Sequence, residues 1–403
     1  MELKLKKAEL ILVEKVREAS IQIIAENGTD ISSEVVREVA QKIEKTSKLK
    51  VKEFDNVNYY ITQEKLKLYE AGIKSGVDKQ EKAIYDISGD ILNYAKEFRR
   101  ERNKETSRIE TNILSHAPFF AGGNHQLKRR AKAEGHVILD KSGLRKMTYE
   151  NNLGAFLTCN DAKTLAGLFS LWSEQGSQEK VTFREYQLLE RLNMDKGGKQ
   201  YTLLRHSLAK LENTDVVFRE AFELGKGQRT VTESFKLITA KTLTEDKDAK
   251  GRIINRELSL EFSPRIRKSF KEGYFTLISL ALLDELESEA AKALYLMISA
   301  MQGMDRREEY LLEDGKLKIP LVTVYETLFL QNTNFKNKTA VEKACEELKH
   351  HDIITEYELD PPGRRAKYLI IMPSSWVRDA ISSNLSNKLA SDNKVMIEDN
   401  VTF

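Results

Sequence analysis

Residues 199–217 read KQYTLLRHSLAKLENTDVV, and residues 336–354, at an offset of 137, read KNKTAVEKACEELKHHDII. Turning about 100° per residue, Leu204, Leu208 and Leu211 form one apolar stripe on the first segment; Val341, Cys345 and Leu348 form it on the second. Each helix then passes through a short polar break into a β-branched pair, Val216–Val217 or Ile353–Ile354. The opposite face holds Lys199, Thr202 and His206 in one copy and Lys336, Thr339 and Lys343 in the other. Both helices are therefore amphipathic, with a polar and mostly basic outer side. Self-similarity at a fixed offset predicts one module used twice. An amphipathic helix leading into a β hairpin is the order in which a winged helix offers its recognition helix and wing to DNA.

Working outward, the same order precedes both copies. In the first, strand KVTF (180–183), helix REYQLLERL (184–192) and the Asp195–Gly198 turn lead into helix 199–212; in the second, KIPLV (318–322) and TVYETLFL (323–330) lead into helix 338–350. A helix over about 161–175 buries Leu165, Leu168, Phe169 and Trp172, and a long helix near 284–301 buries Ala293, Leu294, Met297 and Ile298. After the second copy, ITEYELD, the turn PPGRR and AKYLIIM alternate polar and apolar residues as a hairpin does. After the first, VVFREAFEL, TVTESFKLIT and RIINRELSLEF, joined by GKGQ and EDKDAKG, read as a β sheet with a wing. Short strands are also expected at HVILD and LRKMTYE, and Pro264 opens the second module with a helix at RIRKSF and a strand at YFTLI.

The first stretch of the chain is different in character. It reads as helices over about 4–26, 33–47, 63–75 and 78–110, and the last ends in a run where Arg99, Arg100, Arg102, Lys104 and Arg108 interleave with acids, as on a solvated helix face. Pro118, Gly122 and Gly123 then break the pattern before LKRRAK (127–132), either a phosphate-gripping arm or a soluble linker. Beyond about Leu385 the sequence turns polar, as a mobile tail does. The expected fold class is α+β: a mostly α-helical N-terminal region (1–115), two tandem winged-helix domains (116–262 and 263–385) and a flexible tail (386–403).

Composition narrows the function classes. A chain of 403 residues suffices for two or three domains, each with its own core. A net charge of +3 is too small to argue for nucleic acid, so the distribution of charge must carry that argument. No apolar run approaches the roughly 18–20 residues that cross a bilayer, and the start MELKLKKAEL lacks the apolar stretch of a signal peptide, so a cytoplasmic protein is expected. Two cysteines, Cys159 and Cys345, exclude a disulfide framework or a thiolate zinc site, and Cys345 on an apolar stripe reads as a small buried thiol.

The candidate contacts follow from helix and hairpin geometry. Lys336, Asn337 and Lys338 stand at a helix N-terminus, where backbone N–H groups favour a phosphate. Thr339 and Lys343 are placed for base edges in the major groove, and Glu346 either accepts from cytosine or marks where the helix leaves the groove. Arg364, Arg365 and Lys367 crowd the wing turn, with Lys226 and Arg229 at the turn expected to correspond in the first module. On the first helix the candidates are Lys199, Gln200, Thr202, Arg205 and His206. For catalysis the sequence offers nothing: no phosphate-binding Gly-rich loop ending in Gly-Lys-Ser/Thr, no His-hydrophobe-His pair to hold a cation, and Tyr357 between Glu356 and Glu358 reads as a strand residue. No catalytic residue, metal or cofactor is expected, and the chain is read as a non-enzyme.

Three stretches, LTCNDAKTLAGLFSLWSEQG (157–176), VTFREYQLLERLNMDKGGKQYTLLRHSLAKLENTDV (181–216) and more loosely SLEFSPRIRKSFKEGYFTLI (259–278), resemble plasmid replication initiators built from paired winged helices, the group called replication initiator protein A. The resemblance spans about 135–380. It implies binding to directly repeated origin sites, iterons, on double-stranded DNA, with the second winged helix as main reader. It also implies that the first gives support and self-association, and that origin opening recruits host replication proteins such as a helicase and an initiator. Carried over, reading falls to Thr339, Lys343 and the Arg364–Arg365 wing, and support to Lys199, Thr202 and His206. The same residues also suit a winged-helix transcription regulator. A nicking or priming enzyme and a structural or partition protein are alternatives from other classes.

Overall fold

The computed structural model describes residues 4–378 apart from 29–30, 48, 73–78, 117, 122–124, 142–143, 145–146, 220–231, 248–249, 251–252, 273–274 and 304–309, so the expected tail at 386–403 lies outside the described residues. Helix and sheet are mixed, and the chain divides into two units, Met1–Glu105 and Thr106–Phe403.

The first unit is built from α1 (Lys7–Asn27), α2 (Ser33–Thr46), α3 (Val51–Gly72) and α4 (Lys79–Arg102). Val16, Phe54, Val57, Ile91 and Ala95 are fully enclosed between them. Glu44 is buried too, and it is matched by Arg99 at 2.9 Å and Arg102 at 3.1 Å. A buried carboxylate is tolerated only with such partners. The third helix begins at Val51 rather than near 63, because Phe54, Val57 and Ile61 share one core-facing side although aromatic and β-branched neighbours blur the pattern. The helix expected to run to 110 stops at Arg102, and Ser107–Glu110 is a strand, β1.

In the second unit β1 is followed by α5 (Thr111–His116) and α6 (His125–Glu134), which contains the LKRRAK cluster; the expected arm or linker is therefore a helix. Then come β2 (Val137–Lys141) and β3 (Met147–Asn151). The first repeat follows as α7 (Cys159–Glu174), β4 (Val181–Arg184), α8 (Glu185–Arg191), α9 (Gly198–Glu212), β5 (Thr214–Arg219), β6 (Thr232–Lys236), β7 (Ile238–Lys247) and β8 (Ile253–Phe262). Between the repeats lie α10 (Pro264–Lys271), β9 (Phe275–Ile278) and α11 (Leu280–Glu285). The second repeat is α12 (Glu289–Gly303), β10 (Leu317–Pro320), α13 (Leu321–Leu328), α14 (Asn334–His350), β11 (Ile354–Asp360) and β12 (Tyr368–Pro373). The single long helix expected over 284–301 is thus two, α11 and α12, separated at residues 286–288.

Sheet order gives the correspondence between the repeats. Each has a three-stranded antiparallel sheet in which the strand before the helix pair joins the last strand: β4-β8-β7 and β10-β12-β11. Val181 faces Leu260 in one as Leu317 faces Ile371 in the other. The counterpart of the β11–β12 hairpin is consequently β7–β8 and not β5–β6, which corrects the expectation that placed the first wing at Lys226 and Arg229. Those two residues lie outside the described residues, between β5 and β6. β5 departs from the repeat by pairing with β3, Val216 opposite Tyr149, in a four-stranded sheet of order β2-β3-β5-β6. The stretch TVTESFKLIT is broken at the buried Leu237, where the chain leaves one sheet for the other.

The repeats do not keep separate cores. One apolar cluster runs from Ile109 to Val377, and Phe120 joins its halves, with edge-on rings of Phe329, Tyr149 and Phe156 at 4.9, 5.2 and 5.1 Å. β1 pairs with β9, and Thr111 meets Thr276 at 3.0 Å, so the chain before the first repeat is fastened to the segment that links the repeats. Lys163 of α7 is buried and donates to both carboxylate oxygens of Asp284 of α11, at 2.7 and 2.6 Å. Burial lowers its pKa and Asp284 opposes the shift. Both cysteines are buried, and no helix among the described residues is long and apolar enough to cross a membrane.

Candidate nucleic-acid interface

The two repeated helices present the chemistry. On α14, Val341, Ala344, Cys345 and Leu348 are buried, which turns Phe335, Lys336, Thr339, Lys343 and Glu346 to the far side. Lys336 and Lys343 are exposed and Thr339 is half-buried, its hydroxyl donating to the Phe335 carbonyl at 3.0 Å. Asn337 is not part of that face. It is 4% exposed, donates to the carbonyls of Leu330 and Asn332, and accepts from the Asn332 N–H, so it fastens the loop entering the helix. The helix starts at Asn334, earlier than expected, and this internal bonding removes Asn337 from the candidate contacts.

The β11–β12 hairpin leans on α14 at two points. Near its tip, Lys338 donates to the Gly363 carbonyl at 2.9 Å and sits 3.6 Å from Glu342, which makes this candidate contact a brace between helix and turn. Further back, the Tyr357 hydroxyl donates to Glu346 at 2.6 Å; burial and that bond push the phenol well above its ordinary range. Glu346 is thereby engaged by the hairpin and is not an open acceptor for cytosine. The turn contains a short 3-10 segment, Gly363–Arg365, in which Gly363 has φ +85°, a conformation that a side chain disfavours. Arg365 and Lys367 are exposed there; the Arg364 side chain lies outside the description. Lys318 of β10 holds Asp360 at 2.9 Å, and that hydrogen bond raises its pKa.

On α9 the buried stripe is Leu204, Ser207, Leu208 and Leu211, and Lys199, Thr202, Leu203 and His206 are exposed, with Gln200 half-buried. Arg205 grips Glu185 of α8 through two hydrogen bonds of 2.7 and 2.6 Å, so it orients the helix pair rather than standing free for a ligand. Ser207 donates to Asp161 of α7 at 2.6 Å, and Lys210 pairs with the same carboxylate. The hairpin that matches β11–β12 carries Lys250 at its turn, an exposed position that the linear reading missed; only the sheet order points to it. The linear reading also missed the exposed apolar side chains Phe335 and Leu203, visible as apolar letters inside a polar face but not distinguishable there from core positions. Among the described residues no group of three or more His, Cys, Asp or Glu side chains is placed to hold a metal ion.

Two basic helix faces, each beside a β hairpin and both built on one core, define a candidate reader of a long polyanion. Residues 157–312 match the family described as replication initiator protein A. The resemblance carried by the sequence is thus shown over that segment, which includes α9 and ends before α14. Solved structures to which the chain shows some likeness include domains 2 and 3 of RctB, at 12% identity and a TM-score of 0.41, covering 64% of this chain and 97% of that one. A second RctB structure of the same domains has 14% identity and a TM-score of 0.40, covering 66% and 98%. The Pi initiator protein in complex with iteron DNA has 14% identity and a TM-score of 0.34, covering 67% and 96%. Curated protein sequences give no match.

Proposed function

We propose that the chain is a plasmid replication initiator that binds directly repeated double-stranded sites at an origin, each repeat of the fold acting as a winged helix. The observation that carries this reading is the recurrence of strand, helix, basic-faced helix and hairpin with the same strand pairing, β4-β8-β7 and β10-β12-β11, inside a chain whose residues 157–312 match replication initiator protein A. α14 and the β11–β12 turn are the main reader: Lys343 and Thr339 face base edges, and Lys336, Arg365 and Lys367 face phosphates. α9 supports through Lys199, Thr202 and His206.

No covalent step is needed. Contacts available only on bent or unstacked duplex offset the few kcal/mol that the distortion costs, so binding itself drives origin opening, after which host replication proteins are recruited. Self-association through the first repeat, and action in the cytoplasm, complete the proposal. The test is a footprint on supercoiled origin plasmid with a single-strand-sensitive probe. Protection of several direct repeats with new reactivity in neighbouring A·T-rich DNA supports the reading; protection of one promoter site with no reactivity contradicts it, as does a nicked product.

A further inference from the structure

The large apolar side chain with the greatest exposure among the described residues is Phe335, at 67%, and it stands on the outer face of the first turn of α14, beside Lys336 and one turn before Thr339. Isolated exposed apolar residues are ordinary, so exposure alone decides nothing. Its placement does more. On α9, the helix that repeats α14, Leu203 is 48% exposed, next to Thr202 and one turn after the exposed Lys199, although the offset of 137 sets Leu203 against Ala340 and Phe335 against Gly198. In both helices the neighbouring threonine has committed its hydroxyl proton inward, Thr339 to the Phe335 carbonyl and Thr202 to the Gly198 carbonyl, each at 3.0 Å. Each face therefore offers hydrocarbon beside exposed ammonium, Lys336 and Lys343 on α14 and Lys199 on α9.

That combination fits one chemistry of the major groove. Among base edges there, only thymine presents a methyl group, and phenylalanine or a threonine methyl is a suitable partner for it. Resting on the proposed reading of α14 as a recognition helix, we infer that Phe335 selects thymine through its 5-methyl group, and that Leu203 does the same on α9. The cations at the edges hold the backbone while these two side chains add a preference that hydrogen-bond donors do not supply.

The test isolates the methyl group. The full chain is used to select its binding site from random duplexes, and each thymine in the selected site is then replaced singly by deoxyuridine, which differs only by that methyl. One replacement in the α14 footprint is expected to raise Kd by about fourfold, the value of one buried methyl. Phe335→Ala should weaken binding and make that position indifferent to the methyl, whereas Phe335→Leu should retain part of the penalty. Leu203→Ala should erase the corresponding penalty in the other half of the site. Both side chains are exposed, so an unchanged thermal midpoint certifies that the variants fold. A selected consensus with no deoxyuridine penalty anywhere, or a penalty that survives Phe335→Ala, overturns this inference and leaves the initiator reading standing. Failure to select any sequence overturns both.

Discussion

The Lys338 ammonium donates to the Gly363 carbonyl across a 2.9 Å contact, joining the second turn of α14 to the tip of its hairpin. A lysine at that position of a basic helix reads as a phosphate ligand, yet here its charge braces the helix against the hairpin turn. Lys338→Met should therefore weaken duplex binding roughly 2- to 10-fold, the range of one lost hydrogen bond, without changing the dependence on salt. A fall of about one in the salt slope would return Lys338 to the DNA. Combination with Arg365→Ala should cost less than the sum of the two, because the brace acts through the turn.

Lys199 is exposed at the start of α9, where phosphate contacts are favoured. Lys199→Ala is expected to weaken binding to all duplexes alike and to lower the salt slope by about one. Lys343→Ala should instead relax the consensus at one base pair, with about 1–3 kcal/mol of discrimination lost. Measuring affinity over a series of salt concentrations, on selected and scrambled duplexes, separates the two.

Glu44 holds Arg99 in the core of the N-terminal unit and the half-buried Arg102 at its edge. Glu44→Ala leaves Arg99 buried without its carboxylate and should destabilise that unit by about 3–5 kcal/mol. Urea unfolding of the full chain, with fluorescence of the tyrosines of α3 and α4 as the local signal, checks the figure. A loss below about 1 kcal/mol would mean that the guanidinium escapes to solvent.

Tyr295 is buried on α12 and accepts from the Ser279 N–H at 2.7 Å; burial pushes its phenol up to about 12, above the ordinary tyrosine range near 10. Above pH 10 the unfolded chain ionises this group while the folded chain holds the proton, so the stability it supplies is present below pH 10 and lost as pH rises toward about 12. Tyr149 is shifted in the same direction by burial. The slope of stability against pH in that window should be smaller in Tyr295→Phe by up to one proton, read from chemical denaturation at several pH values.

Phe120 joins the two halves of the larger unit through Phe329. Phe120→Ala should cost about 3–5 kcal/mol and lower both repeats together in a single transition. Two separate transitions would show that the halves fold independently.

Much of the pattern of buried and exposed sides on the two repeated helices was legible in the linear chain. The stripes Leu204–Leu208–Leu211 and Val341–Cys345–Leu348 are buried, and Lys199, Thr202, His206, Lys336 and Lys343 stand on the opposite side, because a helix face is set by a period of 3.6 residues that a short window contains. The candidates that left the face, Asn337, Lys338 and Arg205, are polar residues whose partners come from other elements: the loop at Leu330, the turn at Gly363 and Glu185 of α8. Their side chains are the same in composition as free ones, so no local pattern separates them.

By itself the sequence determined which helices are amphipathic, that one module occurs twice, and where the cations of both outer faces stand. Only the tertiary structure decided which hairpin accompanies α9, that both repeats share one core, and which charges are braces. The reason is that a strand's partner is chosen by hydrogen bonding and burial across the sheet, as Val216 opposite Tyr149 and Val181 opposite Leu260 are. Such choices depend on residues far apart in the chain, and no period within a segment records them.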